Sequence, residues 1–171
     1  MSQATDAIAI ERARPDDAES IRALLQSHNL PVDDVETHLG SAVVARRKGA
    51  VVGSAALELY RDGALLRSVA VSPDLKGQGL GRRLTEAMID LAHTVGTPAL
   101  YLLTTTAQTY FPGFGFEQID RSAVPASVQA SVEFTSACPS TAIVMRKRAV
   151  SRGEMTSPGV LLDSWPGSSL F

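Results

Sequence analysis

The sequence predicts an α/β (α+β) architecture in which a mixed, mostly antiparallel sheet of about six or seven strands is flanked by about four helices. Three observations lead to this prediction. Apolar segments of strand length recur along the chain, and Asp62-Gly63 joins two of them as a hairpin turn would. A glycine-rich loop at 76–81 then leads from the second of these segments into a long amphipathic helix.

The composition is that of an ordinary globular protein. The chain has 171 residues, 44% of them hydrophobic, and a net charge of −2 at pH 7. These values favour one domain and give no basis for a nucleic-acid partner. Ser, Gly and Pro become dominant after residue 148, which predicts a domain over 1–148 and a C-terminal tail over 149–171.

Cysteine content and hydropathy bear on where in the cell the protein is expected. Cys138 is the single cysteine, so no internal disulfide is expected and a reducing compartment is favoured. The first residues lack the basic and apolar regions of a signal peptide, and no apolar run approaches membrane-spanning length. We therefore expect a cytoplasmic protein with no membrane partner.

The first quarter of the chain predicts a strand, two helices and a strand. Apolar and polar residues alternate over 7–13, as in a half-buried strand. A helix is expected to begin at 14–17, where a proline suits the first turn and two aspartates complement the helix dipole. Its apolar stripe ends near His28, which we interpret as an edge residue. A short helix over 32–39 and a strand over 41–46 follow.

The remaining elements follow the same alternation. Apolar residues at helical spacing predict the main helix over 79–95, and Gly96-Thr97-Pro98 ends it. The other predicted elements are strands over 50–60, 64–71, 99–103, 116–120 and 141–147, and short helices over 107–114 and 124–134.

Glu58 is an unusual residue for the strand in which it lies. A two-residue loop at Asp62-Gly63 sets Glu58 opposite Arg67, whereas a three-residue loop sets it opposite Leu66, beside Ser68. Either register puts a carboxylate into a mostly apolar sheet, where a charge is costly unless it is paired or useful. Glu58 therefore either forms a structural salt bridge with Arg67 or takes part in chemistry.

The stretch 76–83, Lys-Gly-Gln-Gly-Leu-Gly-Arg-Arg, predicts an anion site. Its glycines allow a ligand close to the backbone, and the helix that follows begins with unpaired N–H groups and a positive dipole end. Such an end binds phosphate, and the basic residues add positive charge. Arginine at positions 82 and 83 excludes the Walker pattern, and arginine at 82 also excludes the dinucleotide fingerprint.

This loop resembles the acyl-CoA loop of the GNAT superfamily of N-acetyltransferases. The family pattern is Arg or Gln, two residues, Gly, one residue, Gly or Ala; here it reads Lys76-Gly-Gln-Gly79-Leu-Gly81, with lysine as a departure. Tyr110-Phe-Pro-Gly-Phe-Gly-Phe116 resembles the family's closing segment, and the element order over 8–148 matches the family. The resemblance implies a GNAT fold that transfers an acetyl group from acetyl-CoA to an amine and needs no metal.

The resemblance also implies how coenzyme A is bound. The backbone of residues 69–71 would hold the pantetheine arm as an added strand and polarise the thioester carbonyl, while the glycine loop holds the diphosphate. Two phenylalanines of the closing segment would pack under the coenzyme. The implied binding residues are Val69, Ala70, Val71, Lys76, Gly77, Gln78, Gly79, Leu80, Gly81, Arg82, Phe111 and Phe114.

The family's catalytic groups are carried over less completely. The family often places a carboxylate at the position matched by Leu65 and a tyrosine acid at the position matched by Phe111, and neither side chain present can act. Glu58 is the predicted base, directly or through a water, because the acceptor amine must lose a proton before attack. Tyr110 is the predicted acid; otherwise the thiolate leaves unaided.

A narrower resemblance bears on the acceptor. Three segments look like the small N-acetyltransferases of bacterial arsenic-resistance operons, which implies an amino-acid-like toxin or an organoarsenical as acceptor. Arg67 would then hold a substrate carboxylate in a bidentate pair, and Ser68 and Thr105 are further predicted substrate contacts. The segments are Ala64–Val71, Tyr101–Thr106 and Glu133–Pro139.

Two other functions stay open at this point. A protein or peptide N-acetyltransferase is favoured by the acidic residues at 33–36, and a coenzyme A-binding regulatory module by the missing acid at 65 and the missing hydroxyl at 111. A homodimer is compatible with each of them.

Overall fold

The computed structural model describes residues 7–131, 134–135 and 141–148. The strands are Ala9–Arg12 (β1), Ala42–Arg47 (β2), Ala50–Tyr60 (β3), Gly63–Val71 (β4), Ala99–Thr104 (β5), Glu117–Ile119 (β6) and Ile143–Arg148 (β7). The α-helices are Ala18–Ser27 (α1), Leu80–Thr94 (α2) and Ala126–Gln129 (α3). Short 3-10 helices cover Pro15–Asp17, Val35–Ser41, Pro73–Leu75, Phe111–Phe114 and Arg121–Ala123.

The seven described strands form one sheet in the order β1-β2-β3-β4-β5-β7-β6. The pairs β1–β2, β2–β3, β5–β7 and β6–β7 are antiparallel, and β4–β5 is parallel. The mixed, mostly antiparallel sheet predicted from the sequence is confirmed. The insertion of β7 between β5 and β6 was not foreseen, because no local pattern encodes it.

The parallel ladder between β4 and β5 is short. It consists of Ala64↔Leu100 and Leu65↔Tyr101, although β4 continues to Val71. β5 instead pairs along its whole length with β7, from Ala99↔Arg148 to Thr104↔Ile143. The last part of β4 thus lies beyond its ladder with β5.

The described residues fall into two compact units. The first takes residues from 1–56 and 68–88, and the second takes residues from 57–67 and 89–171. The core of the first unit contains Ile21, Leu24, Leu25, Val35, Val44 and Ala70. The core of the second unit contains Leu65, Ala99, Tyr101, Val124, Val128 and Val144.

The two main helices form where the sequence predicts them. The apolar stripe of α1 is buried, and Leu84 and Met88 of α2 are 0% exposed. The short helix expected over 32–39 is a 3-10 helix over Val35–Ser41, because Asp34 before it has φ 55°, a left-handed value that prevents an earlier helical start.

The β3–β4 turn differs from both predicted loops. β3 ends at Tyr60 and β4 begins at Gly63, so the turn is Arg61-Asp62, and Gly63 belongs to the strand rather than to a two- or three-residue loop. A Cβ added at Gly63 would lie 2.7 Å from Cε2 of Tyr101. This glycine therefore serves close packing against β5.

The short helix predicted over 107–114 is only the 3-10 helix Phe111–Phe114. Before it, the Thr104 hydroxyl accepts the N–H groups of Thr106 and Ala107, and the Tyr110 N–H donates to the Ala107 carbonyl at 3.0 Å, so the chain turns here. Pro112 has no N–H group with which to continue an α-helix from residue 108. Within the range 124–134, the described residues form the α-helix α3, and residues 132–133 lie outside the described part.

The tail over 149–171, the predicted domain boundary and Cys138 also lie outside the described residues. No helix formed by the described residues is long and apolar enough to span a bilayer.

Gly53→Ala tests the packing of the first unit. The added Cβ would lie 2.9 Å from Leu84 Cδ1, 3.2 Å from Ala45 Cβ and 3.3 Å from the Ala70 carbonyl oxygen. We expect chemical denaturation to show a loss of about 1–3 kcal/mol in the free energy of unfolding. Gly40→Ala is the control, since nothing lies within 4 Å of its added Cβ. Equal stability of the two variants would contradict the packing described.

Candidate active site

The loop between β4 and α2 is anchored at its ends and exposed in the middle. Leu75 and Leu80 are buried, whereas residues 76–79 are exposed. Gly77 and Gly79 have φ values of 78° and 80°, which cost a residue with a Cβ about 1–2 kcal/mol. The apolar ends therefore fix the loop, and the glycines let its exposed backbone turn.

The first turn of α2 presents backbone donors. The N–H of Arg83 donates to the Gly79 carbonyl at 3.1 Å and closes this turn, so the N–H groups of residues 80–82 have no acceptor within the helix. Leu80 contributes only its backbone, because its side chain is in the core. The helix dipole makes this end positive, and it suits an anion such as a diphosphate.

The basic side chains around the loop differ in their hydrogen-bond partners. Arg82 Nε donates to Glu86 Oε1 at 3.1 Å, and Arg83 Nη2 donates to the Ile8 carbonyl at 3.1 Å. Lys76 is exposed at the start of the loop. The predicted coenzyme contact Arg82 thus shares its charge with a carboxylate, and Arg83 contacts the residue that precedes β1.

Ser68 interrupts the regular backbone of β4. Its φ is 58°, and the other described non-glycine residues with positive φ, Asn29, Asp34 and Lys48, lie in turns. The buried Ser54 hydroxyl donates to the Ser68 carbonyl oxygen at 2.8 Å. The sequence pattern predicts the strand here, but not this left-handed residue within it.

The end of β4 is held by α1. His28 Nε2 donates to the Val71 carbonyl oxygen at 2.7 Å. Ala70 is buried in the core of the first unit, while Val69 and Val71 are half-buried. The residue interpreted as the edge of an apolar stripe therefore fixes the strand that is expected to hold the pantetheine arm.

Glu58 lies in a buried cluster of hydrogen-bond donors in the second unit. Arg67 Nη1 donates to Glu58 Oε1, and the Tyr60 hydroxyl donates to Glu58 Oε2. The Ser131 side chain adds a further hydrogen bond. Glu58 is 1% exposed and Arg67 is 4% exposed. The salt bridge between Glu58 and Arg67 that the sequence suggested is confirmed, and it is buried.

The environment of Glu58 favours its ionised form. Burial by itself raises the pKa of this carboxyl, but hydrogen bonds from Tyr60 and Ser131 and the charge of Arg67 outweigh it and hold the pKa below its usual 4.5. A base works best with a pKa near the working pH. The contacts thus support the salt-bridge role, and the role of Glu58 as base stays a prediction.

The closing segment forms an aromatic cluster. Tyr110 is 43% exposed, and its ring lies edge-on to Phe111 and Phe114 with centroids 5.2 Å away in each case. Phe111 is buried and contacts Phe116 at 5.7 Å. Of the two phenylalanines expected under the coenzyme, Phe111 mainly fills the interior. Tyr110 is partly accessible to solvent, and Thr105 is exposed just after β5.

The acidic segment at 33–36 has basic partners in the same unit. His38 Nε2 lies 3.0 Å from Asp34 Oδ2, and Arg22 Nη2 donates to Glu36 Oε1. These carboxylates are therefore engaged within the protein, which weakens the case for an acidic peptide-binding groove.

The structure separates the predicted residues by unit. The first unit contains Ser68, Val69, Ala70, Val71, Lys76, Gly77, Gln78, Gly79, Leu80, Gly81 and Arg82, and the second contains Glu58, Arg67, Thr105, Tyr110, Phe111 and Phe114.

Sequence reasoning missed Tyr60, Ser131 and Ser54. Tyr60 follows Glu58 by two residues on the same strand, so strand periodicity was sufficient to place both on one face. Ser131 approaches from a distant segment, for which the sequence holds no local sign. Ser54 looked like an ordinary buried strand residue.

Comparison with known proteins identifies a family. The model of the acetyltransferase (GNAT) family matches residues 8–116. This range runs from β1 to the end of the aromatic cluster and includes the whole glycine loop.

Individual relatives match over part of their length. A [citrate [pro-3S]-lyase] ligase of Klebsiella pneumoniae is 30% identical over 99 residues, 57% of this chain and 27% of the relative. An amino-acid acetyltransferase of Neisseria meningitidis is 29% identical over 93 residues, 53% of this chain and 21% of the relative. The chain thus spans about a quarter of the length of these relatives.

The fold recurs in solved structures. A Mycobacterium tuberculosis protein in complex with CoA superposes with a TM-score of 0.72 at 22% identity, over 83% of this chain and 99% of that chain. This likeness confirms the GNAT fold expected from the sequence.

Glu58→Gln tests the buried ion pair through its pH dependence. The folded-state pKa of Glu58 is lowered, so its ionised form stabilises the protein above about pH 4.5, and this contribution is lost as the pH falls through the folded-state value. Because the substituted amide removes the Glu58 charge from a buried ion pair with Arg67, we expect urea denaturation at pH 7 to show a loss of about 3–5 kcal/mol in the free energy of unfolding. The difference from wild type should shrink below pH 4.5.

The exposed pair of Glu36 with Arg22 provides the control. Glu36→Gln should leave the free energy of unfolding almost unchanged at pH 7, because solvent screens that pair. A Glu58→Gln variant as stable as Glu36→Gln at pH 7 would show that the ion pair contributes little.

Proposed function

The chain belongs to the acetyltransferase (GNAT) family, and from that premise we propose that it is an acetyl-CoA-dependent N-acetyltransferase acting on the amino group of a small molecule. The acceptor we propose is amino-acid-like, with toxins of that class and organoarsenicals as members to be tried. The family model supports the reaction class, and the residues described above support the binding of coenzyme A.

The glycine loop is the observation that carries this proposal. Nothing lies within 4 Å of a Cβ added at Gly77 or Gly79, so the space over the exposed backbone is open to a ligand. Both positions are left-handed and lead into a helix of 15 residues. Backbone N–H groups at the positive end of a helix are suited to bind the diphosphate of coenzyme A.

The backbone of β4 supplies the second part of the proposed site. Residues 69–71 follow the end of the β4–β5 ladder at Leu65, and an extended ligand such as pantetheine is suited to add to such a strand. A backbone N–H of this segment is the group we assign to the thioester carbonyl oxygen.

Transfer requires the acceptor amine to become neutral. Acetyl-CoA supplies the acetyl group as a thioester. The ammonium releases one proton, the nitrogen attacks the carbonyl carbon, and the carbon–sulfur bond breaks with its electron pair on sulfur. The second proton of the nitrogen is lost as the amide forms, and one proton in total ends on the thiolate. Amide, coenzyme A thiol and one free proton result.

The role of Glu58 in this step is a choice between two proposals. As base, it would have to give up a hydrogen bond from Tyr60 or Arg67. As ion-pair partner, it fixes Arg67, and the ammonium loses its proton to water. The lowered pKa of Glu58 supports the second proposal.

An amino-acid acceptor has two supports. One relative is named an amino-acid acetyltransferase, and Arg67 carries the group that proteins use to bind carboxylates in bidentate fashion. Arg67 donates to Glu58 in this structure, so a substrate carboxylate would have to share it or replace Glu58. Thr105 and Ser68 remain proposed substrate contacts, and Tyr110 a proposed acid.

Thiol release in the presence of acetyl-CoA and a panel of amino acids, amines, peptides and arsonic or phosphinic analogues tests the proposal. We expect release that depends on an amino acid or its analogue. Release with peptides alone would favour a peptide N-acetyltransferase, and coenzyme A binding without release would favour a regulatory module.

Gly79→Ala tests the loop. A Cβ there costs backbone strain and covers the donors, and the loss of one hydrogen bond to a charged group lowers coenzyme A affinity roughly ten- to hundredfold. Gly49→Ala is the matched control, because Gly49 has φ 83° and Gly79 has φ 80°, and neither has an atom within 4 Å of its added Cβ. Calorimetric titration that finds equal coenzyme A affinity for both variants would rule out the loop as the binding site.

The pH dependence of kcat/KM separates the two roles of Glu58. If water takes the ammonium proton, the acid limb follows the acceptor and moves when a second acceptor of different ammonium pKa is used. A limb that stays at one pH for both acceptors would show that a group on the protein acts as the base.

A further inference from the structure

The strained residue in β4 has a specific support. A left-handed φ costs serine about 1 kcal/mol and persists only where the surrounding structure determines it. For Ser68 that support includes the hydroxyl of Ser54, which is 1% exposed and donates to the Ser68 carbonyl oxygen at 2.8 Å. Both residues belong to the first unit.

The hydrogen bond from Ser54 fixes the direction of the next N–H group. The described chain contains no cis peptide bond, and in a trans peptide the C=O and the N–H point in opposite directions. Since the Ser68 carbonyl points toward the Ser54 hydroxyl, the N–H of Val69 points away from it. Val69 lies beyond the last β4–β5 ladder pair, Leu65↔Tyr101.

We propose that Ser54 is a positioning residue for acetyl transfer. Its hydroxyl holds the Ser68 carbonyl, and this directs the Val69 N–H group toward the thioester carbonyl oxygen. This inference rests on the proposed function. Ser54 touches neither substrate in the proposal and acts through the peptide group between residues 68 and 69. A donor aimed before the reaction costs no reorganisation during it.

A purely structural role for Ser54 predicts a different outcome. A buried hydroxyl that only satisfies a carbonyl contributes to stability, and its loss lowers the melting temperature without changing the polarisation of a bound carbonyl. If Ser54 has a positioning role, its loss lowers kcat and also reduces the polarisation of the bound thioester carbonyl. The carbonyl stretch of bound acetyl-CoA is therefore the decisive quantity.

The test compares wild type with Ser54→Ala and Ser54→Cys in the full chain. Acetyl-CoA labelled with ¹³C at the carbonyl is bound without acceptor, and its infrared carbonyl band is measured. The values of kcat and KM are measured with the acceptor found by thiol release.

The expected effect on kcat follows from the loss of alignment. Complete loss of a well-aimed donor costs roughly a hundred- to a thousandfold in kcat, and misalignment should cost roughly tenfold or more. The KM for acetyl-CoA should change much less, and the band should shift toward its position in water.

Ser54→Cys keeps the site filled but replaces the hydroxyl with a weak donor. An effect that both variants share is therefore not caused by a cavity. If Ser54→Ala does not fold, kcat, KM and the carbonyl band are measured on Ser54→Cys alone. Ser27→Ala is the control, because its hydroxyl donates to the Leu24 carbonyl at 2.6 Å on the surface of α1. It should leave kcat and the band unchanged.

The outcomes are distinct. If wild type binds and uses acetyl-CoA while both Ser54 variants keep its kcat and its carbonyl band, the positioning role is wrong and the proposed function stands. If wild type does not bind acetyl-CoA at all, the proposed function and this inference are both wrong.

Discussion

The exposed first turn of α2 is the constraint on which the account depends. The loop that leads into this turn keeps its shape because Gly77 and Gly79 adopt left-handed backbone without cost and because Leu75 and Leu80 bury the ends of the loop. A loop with side chains at the two glycine positions would be strained by about 1–2 kcal/mol at each. The apolar anchors and the bare middle are thus complementary parts of the proposed anion site.

The buried ion pair with Arg67 limits what the Glu58 carboxylate could do as the proposed base. Three donors in a region shielded from water hold the charge of Glu58 in place and lower its pKa. The same donors make it a weak proton acceptor. In the proposed mechanism, catalysis therefore depends more on the preorganised backbone of β4 than on a base. The left-handed backbone of Ser68 agrees with this proposal, since strain of this kind is retained where the surroundings determine it.

Local patterns predicted much of the fold and part of the site. The bounds of β3 were predicted correctly because alternation and turn residues are local, and the glycine loop was recognised because its function requires backbone freedom. The position of β7 was not predictable, since strand order depends on long-range pairing. Residues 107–110 were expected to be helical, but residues 108–110 form a turn, since Pro112 has no N–H group to donate to the carbonyl of residue 108. The left-handed Ser68 depends on a neighbouring strand, which a strand pattern alone does not reveal.

A crystal structure with coenzyme A bound would locate the diphosphate site. We expect diphosphate oxygens about 2.7–3.2 Å from backbone nitrogen atoms between Gly77 and Arg82, with the pantetheine arm along residues 69–71. A diphosphate bound elsewhere on the protein, or a loop filled by one of the protein's own side chains, would contradict this expectation.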